Sequence, residues 1–188
     1  MSIDRRALNV GCGDYPLKGH VNFDLRDVAA ANLQGEALEM PFLDASFDEI
    51  YAGHVLEHFS ADQATILLSE WRRIMADDGR LTVVVPNARE AMLRYVSRAT
   101  DVVIIDDGER RQLSDIETLN DVLIYNNVTG EPHRRCYDRE LLTQTLTQAR
   151  FRIIGEVDPF QEARISDPIM EQRWLNLGMV AVKGAQNG

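Results

Sequence analysis

The hydrophobic positions change period along the chain, and each change marks an element. Ala7-Leu8-Asn9-Val10 is a short apolar run that stops at Gly11-Cys12-Gly13, which predicts a strand entering a glycine turn. His20 to Asp24 alternates and closes on an acid, predicting a second strand, and a short third strand is expected near Asn32-Leu33. The turn cluster Asp44-Ala45-Ser46 leads into a fourth strand over Phe47 to Ala52. The period then shifts to that of a helix. Ala64, Leu67, Leu68, Trp71, Ile74 and Met75 share one face, behind a Ser60-Ala61-Asp62-Gln63 capping box. Asp77-Asp78-Gly79 is expected to end that helix, glycine suiting the residue after a last turn. Arg80 to Val85 is β-branched and nearly continuous, as in a strand covered on both faces, and Pro86 stops it.

Residues 88–135 fit this rhythm poorly. Ala88 to Ala99 and Leu113 to Ile124 are helix-like, with the apolar run Val102 to Ile105 between them. The stretch is too short for a core of its own and reads as an insertion in a single domain spanning 1–188. Regularity resumes at Asp138, a good N-cap for a helix through Ala149. A strand follows at Phe151 to Val157, then a polar loop containing proline and a last strand from Leu175 to Val182. Strands alternating with helices predict an α/β sandwich with a mostly parallel sheet. The last two strands have no convincing helix between them, so a C-terminal hairpin with one antiparallel strand is expected.

Composition narrows the class. With 188 residues, 45% of them hydrophobic and 27% charged, the chain resembles an ordinary globular domain. It has no apolar run near membrane-spanning length and no signal-peptide pattern at Met1 to Arg6. Cys12 and Cys136 are the two cysteines; they make neither a disulfide framework nor a metal-ligand spacing, and they suit the cytoplasm. The net charge of −10 repels phosphate backbones, so no nucleic-acid partner is expected. The pairs Arg72-Arg73, Arg110-Arg111 and Arg134-Arg135 are read as solvated faces or local ion pairs.

Gly11-Cys12-Gly13 with Asp24 carries the most chemistry. A ligand containing adenosine needs small residues where the chain turns, and its vicinal ribose hydroxyls suit a carboxylate at the end of the next strand. Losing such a charged acceptor costs roughly 1.5–3 kcal/mol. The plainer alternative is that the glycines make a tight turn and Asp24 caps the segment after it. A dinucleotide is disfavoured: the position for the third glycine is Pro16, and Asp24 comes too soon.

Several motifs in order resemble the class I S-adenosylmethionine (SAM) methyltransferases. Leu8 to Gly13 looks like that family's first motif and Met40 to Asp48 like its L-P-F-x-D-x-S-F-D segment. Val55-Leu56-Glu57-His58 looks like V-L-E-H, and Asp78 to Asn87 like G-G-x-L…P-N. His133 to Tyr137 is similar to a histidine-basic-x-x-tyrosine segment in a small branch of the family. The resemblance implies a Rossmann-like three-layer sandwich with a seven-stranded, mostly parallel sheet. SAM would lie across Gly11, Cys12, Gly13, Asp24 and Leu25. Glu36 (or Glu39 if the register slips), Ala37, Gly53 and His54 would complete the site, with no metal. The Gly13–Asp24 stretch departs from the family, having room for one short helical turn where most relatives have a full helix.

Methyl transfer from a sulfonium needs alignment first and a base only if the acceptor must lose a proton. The candidate catalytic residues are His54, His58 and His133. His54 and His58 are four apart and able to share a helix face, with Glu57 either orienting a ring or facing water. The plain alternative for His58 and His133 is a hydrogen bond to a carbonyl. Cys12 has no partner for nucleophilic work. The expected partner is a small-molecule acceptor carrying a hydroxyl, amine or carboxylate. Residues 88–135 would form either a lid, walled by Tyr95, Leu123, Ile124 and Tyr125, or a homodimer interface. Two other classes remain open: a SAM-binding module without turnover, and a transferase of another group such as aminopropyl.

Overall fold

Strand β1 (Ala7–Val10) is buried along its whole length because both of its edges are used. It pairs in parallel with β2 (His20–Asp24) on one side and with β4 (Phe47–Gly53) on the other, Val10 facing Phe23 and Ala52. A strand covered in this way reads as an apolar run rather than an alternation. These relations come from a computed structural model of the protein, which describes residues 6–99, 103–106, 109–112, 114–124, 131–157 and 175–184.

Strand β3 (Leu33–Gln34) borders β2, one residue later than the sequence suggests. The shift has a cause: Asn32 is occupied as a turn residue, its side-chain Oδ1 accepting from Asn22 N at 2.9 Å. After β4 comes a single 3-10 turn, Leu56–His58, and then helix α1 (Ala61–Ile74). The Ser60–Gln63 capping box forms as expected, and Ala64, Leu67, Leu68, Trp71 and Ile74 are buried.

The expected helix stop at Gly79 is a correction. Helix α1 ends at Ile74, and Met75 is already extended, opening the long β5 (Met75–Pro86). Met75 pairs with Phe47 at the start of β4, so sheet pairing takes over before the helical pattern in the sequence runs out. The expectation that His54 and His58 share a helix face also fails. His54 is a left-handed residue (φ 57°) directly after β4, and His58 closes the 3-10 turn.

Helix α2 (Ala88–Ser97) follows β5, then a hairpin of β6 (Val103–Asp106) and β7 (Glu109–Gln112), then α3 (Asp115–Leu123). Helices α2 and α3 pack against each other. Leu113 and Tyr125 lie outside the described residues. Helix α4 (Arg139–Gln148) starts at the Asp138 cap and leads to β8 (Phe151–Val157); β9 (Asn176–Lys183) completes the sheet. The seven-stranded order is β3-β2-β1-β4-β5-β9-β8. Strand β9 runs antiparallel to both neighbours, as the C-terminal hairpin pattern predicts. The proline-bearing loop at 158–174 lies outside the described residues, among which no helix is long and apolar enough to cross a membrane.

The β1–β2 connection carries no helix, and buried amides do the work that helix packing does elsewhere. Asn9 and Asn22 sit opposite each other on paired strands. Asn9 Nδ2 donates to Asn22 Oδ1 at 2.9 Å and to the Tyr15 carbonyl at 3.2 Å. Asn22 Oδ1 also accepts from Leu17 N at 2.8 Å, and Asn22 Nδ2 donates back to Leu17 O at 3.3 Å. Asn22→Ala takes one acceptor from the Asn9 amide and leaves the Leu17 N–H unpaired in a buried site, which should destabilise the protein by about 2–4 kcal/mol. Urea unfolding should show a lower midpoint at an unchanged slope; an unmoved midpoint would mean water reaches these groups.

Candidate functional site

Because Val10 pairs with both Phe23 and Ala52, the chain ends of β1, β2 and β4 reach the same sheet edge together. Gly11 turns there in a left-handed conformation (φ 63°), and a Cβ at that position would stand 2.5 Å from Val55 Cγ2. Two independent constraints therefore require glycine: the backbone angle and the close approach of the residue after β4. Gly13 is left-handed as well (φ 52°). Between them Cys12 is buried, and burial with the nearby Asp24 charge pushes its thiol up to about 11, so it carries no nucleophile.

Asp24 is buried at the end of β2. Its Oδ2 accepts from Gly13 N at 2.7 Å, and its Oδ1 accepts from Arg26 N at 2.9 Å and from Arg26 Nε at 3.3 Å. The carboxylate thus fastens the glycine turn and caps the segment after it, the plainer of the two roles read from sequence. Leu25 beside it is 55% exposed, an apolar surface at the rim. Gly35 N donates to Asp24 O at 2.9 Å, which sets Glu36, exposed, and Ala37, half-buried, just past β3. Arg26 is a site residue that sequence reasoning missed, since nothing in its spacing distinguishes it from a surface arginine.

Gly53 closes β4 with a structural reason of its own. A Cβ there would meet the Tyr51 hydroxyl at 2.7 Å. His54 follows, its N–H bonded to Val84 O at 2.9 Å, so β5 holds the residue in its left-handed conformation.

Beyond His54 the structure gathers four titratable side chains from two distant segments. Glu57 is 1% exposed. His54 Nδ1 lies 3.2 Å from Glu57 Oε1, and neither carboxylate oxygen has a well-formed hydrogen bond from the described residues. Burial works to raise its carboxyl, but the close approach of His54, with His58 nearby, outweighs it and holds Glu57 below the usual carboxylate range. Glu57 O accepts from Arg134 N at 2.8 Å and from Arg135 N at 3.1 Å, which brings His133 over the 3-10 turn. The His58 and His133 rings meet edge to face with centroids 5.1 Å apart. His58 Nδ1 faces Pro132 O at 3.2 Å and His133 Nδ1 faces Val122 O at 3.0 Å. A carbonyl only accepts, so each neutral ring carries its proton on Nδ1 and a lone pair on Nε2. Burial lowers the His133 pKa against the opposing pull of Glu57. Tyr137 is buried and its phenol is pushed up to about 12 by that burial; it anchors the segment through Ala88 N→Tyr137 O at 2.9 Å.

The basic pairs resolve locally where they are described. Arg73 binds Glu70, Asp44 and the carbonyls of Met40 and Phe42, and Arg72 binds the carbonyls of Arg150 and Gly184. Of the expected lid wall, Tyr95 and Ile124 are exposed, Leu123 is half-buried, and Tyr125 lies outside the described residues.

Residues 17–83 match the family model described as a methyltransferase domain. The chain is 30% identical over 106 residues to a protein from Encephalitozoon cuniculi named as a methyltransferase, and it spans about half the length (50%) of that relative. Among solved structures it resembles the Burkholderia thailandensis 1,6-didemethyltoxoflavin-N1-methyltransferase. That likeness has a TM-score of 0.59 at 15% identity and covers 96% of this chain and 72% of that one. A SAM-dependent methyltransferase from Methanosarcina mazei gives a TM-score of 0.59 at 16% identity over 99% and 95% of the two chains. The fold is that of the class I methyltransferases.

The Gly11–Val55 contact makes a sharp test of this edge. Gly11→Ala should destabilise the protein by about 2–4 kcal/mol, of which about 1–2 comes from the left-handed backbone. In a double-mutant cycle with Val55→Ala, the clash disappears and a coupling of at least about 1 kcal/mol should emerge. Purely additive costs in chemical denaturation would show that the two positions do not touch.

Proposed function

We propose that this chain, which has the class I methyltransferase fold, is a SAM-dependent methyltransferase acting on a small-molecule acceptor. One observation carries the proposal: the Gly11–Gly13 turn, Asp24 and Glu36 stand at the carboxyl edge of β1, β2 and β3, where an open α/β sheet places its ligand crevice. The residues suit SAM. The turn offers a cradle in which Gly11 leaves no room for a side chain, Asp24 provides a charged acceptor for ribose hydroxyls, and exposed Leu25 provides an apolar surface for the base. SAM supplies a methyl group already activated on a sulfonium. The protein's task is to align it with the acceptor, where effective molarity contributes on the order of 7–11 kcal/mol.

The acceptor side lies past β4, where His54, Glu57, His58 and His133 converge. A binding module without turnover needs no polar groups there, so this cluster favours an enzyme. His54 has a carboxylate 3.2 Å from its Nδ1 to orient the ring, which equips it to receive a proton from a hydroxyl or amine acceptor. The decisive assay is SAM consumption across pools of hydroxyl, amine and carboxylate acceptors. Turnover in none of them, with SAM bound, would leave the non-catalytic module as the reading.

Asp24 tests the cofactor half. Asp24→Ala should weaken SAM affinity about 10–100-fold. Asp24→Asn, which keeps an acceptor for Gly13 N but not for Arg26, should lower the thermal midpoint less than Asp24→Ala while still losing about tenfold in affinity. Calorimetry that finds SAM affinity unchanged in both variants would refute the ribose role.

Residues 88–135 are proposed to cover the acceptor. Met92, Leu93, Tyr95 and Val96 on α2 are 44–80% exposed, a surface suited to a ligand or a second copy. Hydrogen exchange separates the two. Protection of α2 that follows SAM plus acceptor supports the cover, and protection that follows protein concentration supports a homodimer.

A further inference from the structure

Glu57, His58 and His133 each bring one donor atom to within 4.8 Å of the other two. We propose that these three residues form a mononuclear site for a divalent transition-metal ion, which takes an oxygen of the methyl acceptor as a further ligand. Only the role given to the ion rests on the methyl-transfer function; its binding does not.

Four features of the cluster support a metal. Glu57 is 99% buried by its 1% exposure, yet Oε2 has no hydrogen-bond partner among the described residues and Oε1 has only the His54 contact. A buried carboxylate left so short of donors is costly, and a cation is the direct remedy. His133 Nε2 is likewise buried and has no hydrogen-bond partner among the described residues. Both imidazoles are fixed in the same manner, Nδ1 to a backbone carbonyl at 3.2 and 3.0 Å. That is how metal-binding histidines are oriented, with Nε2 left as the ligand. His54 serves as a positioning residue: with Nδ1 toward Oε1 at 3.2 Å, it leaves Oε2 for the ion.

The backbone holds the two segments in place before any ion arrives, through Arg134 N and Arg135 N on the Glu57 carbonyl. Ligand atoms in a tetrahedral zinc site stand about 3.3 Å apart, as follows from metal–ligand distances of about 2.0–2.1 Å, so binding would draw these donors in from their present separations of up to 4.8 Å. His58 has 17% of its side chain exposed, giving the ion an entry path. Two imidazoles and one carboxylate suit zinc, iron(II), cobalt or manganese and leave coordination positions open. A hydroxyl acceptor bound there gives its proton to His54, the base of the proposed methyl transfer. Its oxygen pair then forms the new C–O bond as the methyl–sulfur bond breaks, and the sulfur keeps that electron pair.

Sequence spacing gives no hint of this site, since cysteine is not used and 75 positions separate His58 from His133. The full chain, stripped with a chelator, should bind one equivalent of cobalt(II), with visible absorption bands that zinc abolishes by displacement. His133→Ala and Glu57→Gln should each weaken cobalt binding at least about 100-fold, beyond the 10–100-fold typical of outer-shell losses, with circular dichroism confirming the fold. If either variant does not fold, nitrogen-15 spectra of histidine-labelled wild type decide instead. Zinc should shift two Nε2 resonances, those of rings protonated on Nδ1. Absence of a stoichiometric site in wild type, or variants that bind cobalt unchanged, would overturn the proposal. A SAM titration on the stripped wild type keeps the two proposals apart. SAM bound without a metal site would leave the methyltransferase function standing alone, and a metal site without SAM binding would do the reverse.

Discussion

A carboxylate with 1% exposure has to be compensated, and Glu57 stands among histidines brought together from two distant segments of the chain. His54 and His58 flank it in sequence. His133 reaches it from a segment held there by the Glu57 carbonyl, which accepts the Arg134 and Arg135 N–H groups. The same segment continues into Tyr137, which bridges to Asn87 at the end of β5 and leads to the Asp138 cap of α4. Glu57 is therefore the point where the ends of β4 and β5, the 3-10 turn and the approach to α4 are tied together. Removing it would leave a buried hole among the imidazole rings and a segment with less to hold it.

The cofactor side has a different economy. There the backbone does most of the work: left-handed Gly11 and Gly13, Gly35 flush against the Phe23 ring, and a connection between β1 and β2 stitched by Asn9 and Asn22 instead of covered by a helix. Buried amides of this kind are worthwhile only when paired, and Asn9 Nδ2 and both polar atoms of the Asn22 side chain have partners. The result is a turn whose shape does not depend on a helix packing behind it.

The two sides meet where Val55 packs against Gly11. Val55 sits between His54 and Glu57 in the chain, so the residue that closes the floor under the glycine turn also spaces the acceptor cluster. Positioning a methyl donor against an acceptor to within a fraction of an ångström calls for such rigid coupling. The strained conformation of His54, held by Val84 O, belongs to the same arrangement.

Much of this was legible in the chain. Strand runs, the Ser60 and Asp138 caps and the antiparallel last strand follow from periodicity, because hydrophobic alternation and capping are local properties. The ordered motifs pointed to Gly11, Gly13 and Asp24 for the same reason: each stands beside the turn or strand end that it serves. The end of α1 was misread, since its apolar pattern continues to Met75 and only pairing with Phe47 shows that the sheet has already begun. The partnership of Glu57 with His133 could not be read at all. It depends on how far the chain returns over the sheet after 88–135, and on which residues that return leaves dry. Local sequence records which groups are able to bind a proton or an ion; tertiary structure alone decides which are buried together, because desolvation is set by everything packed around them.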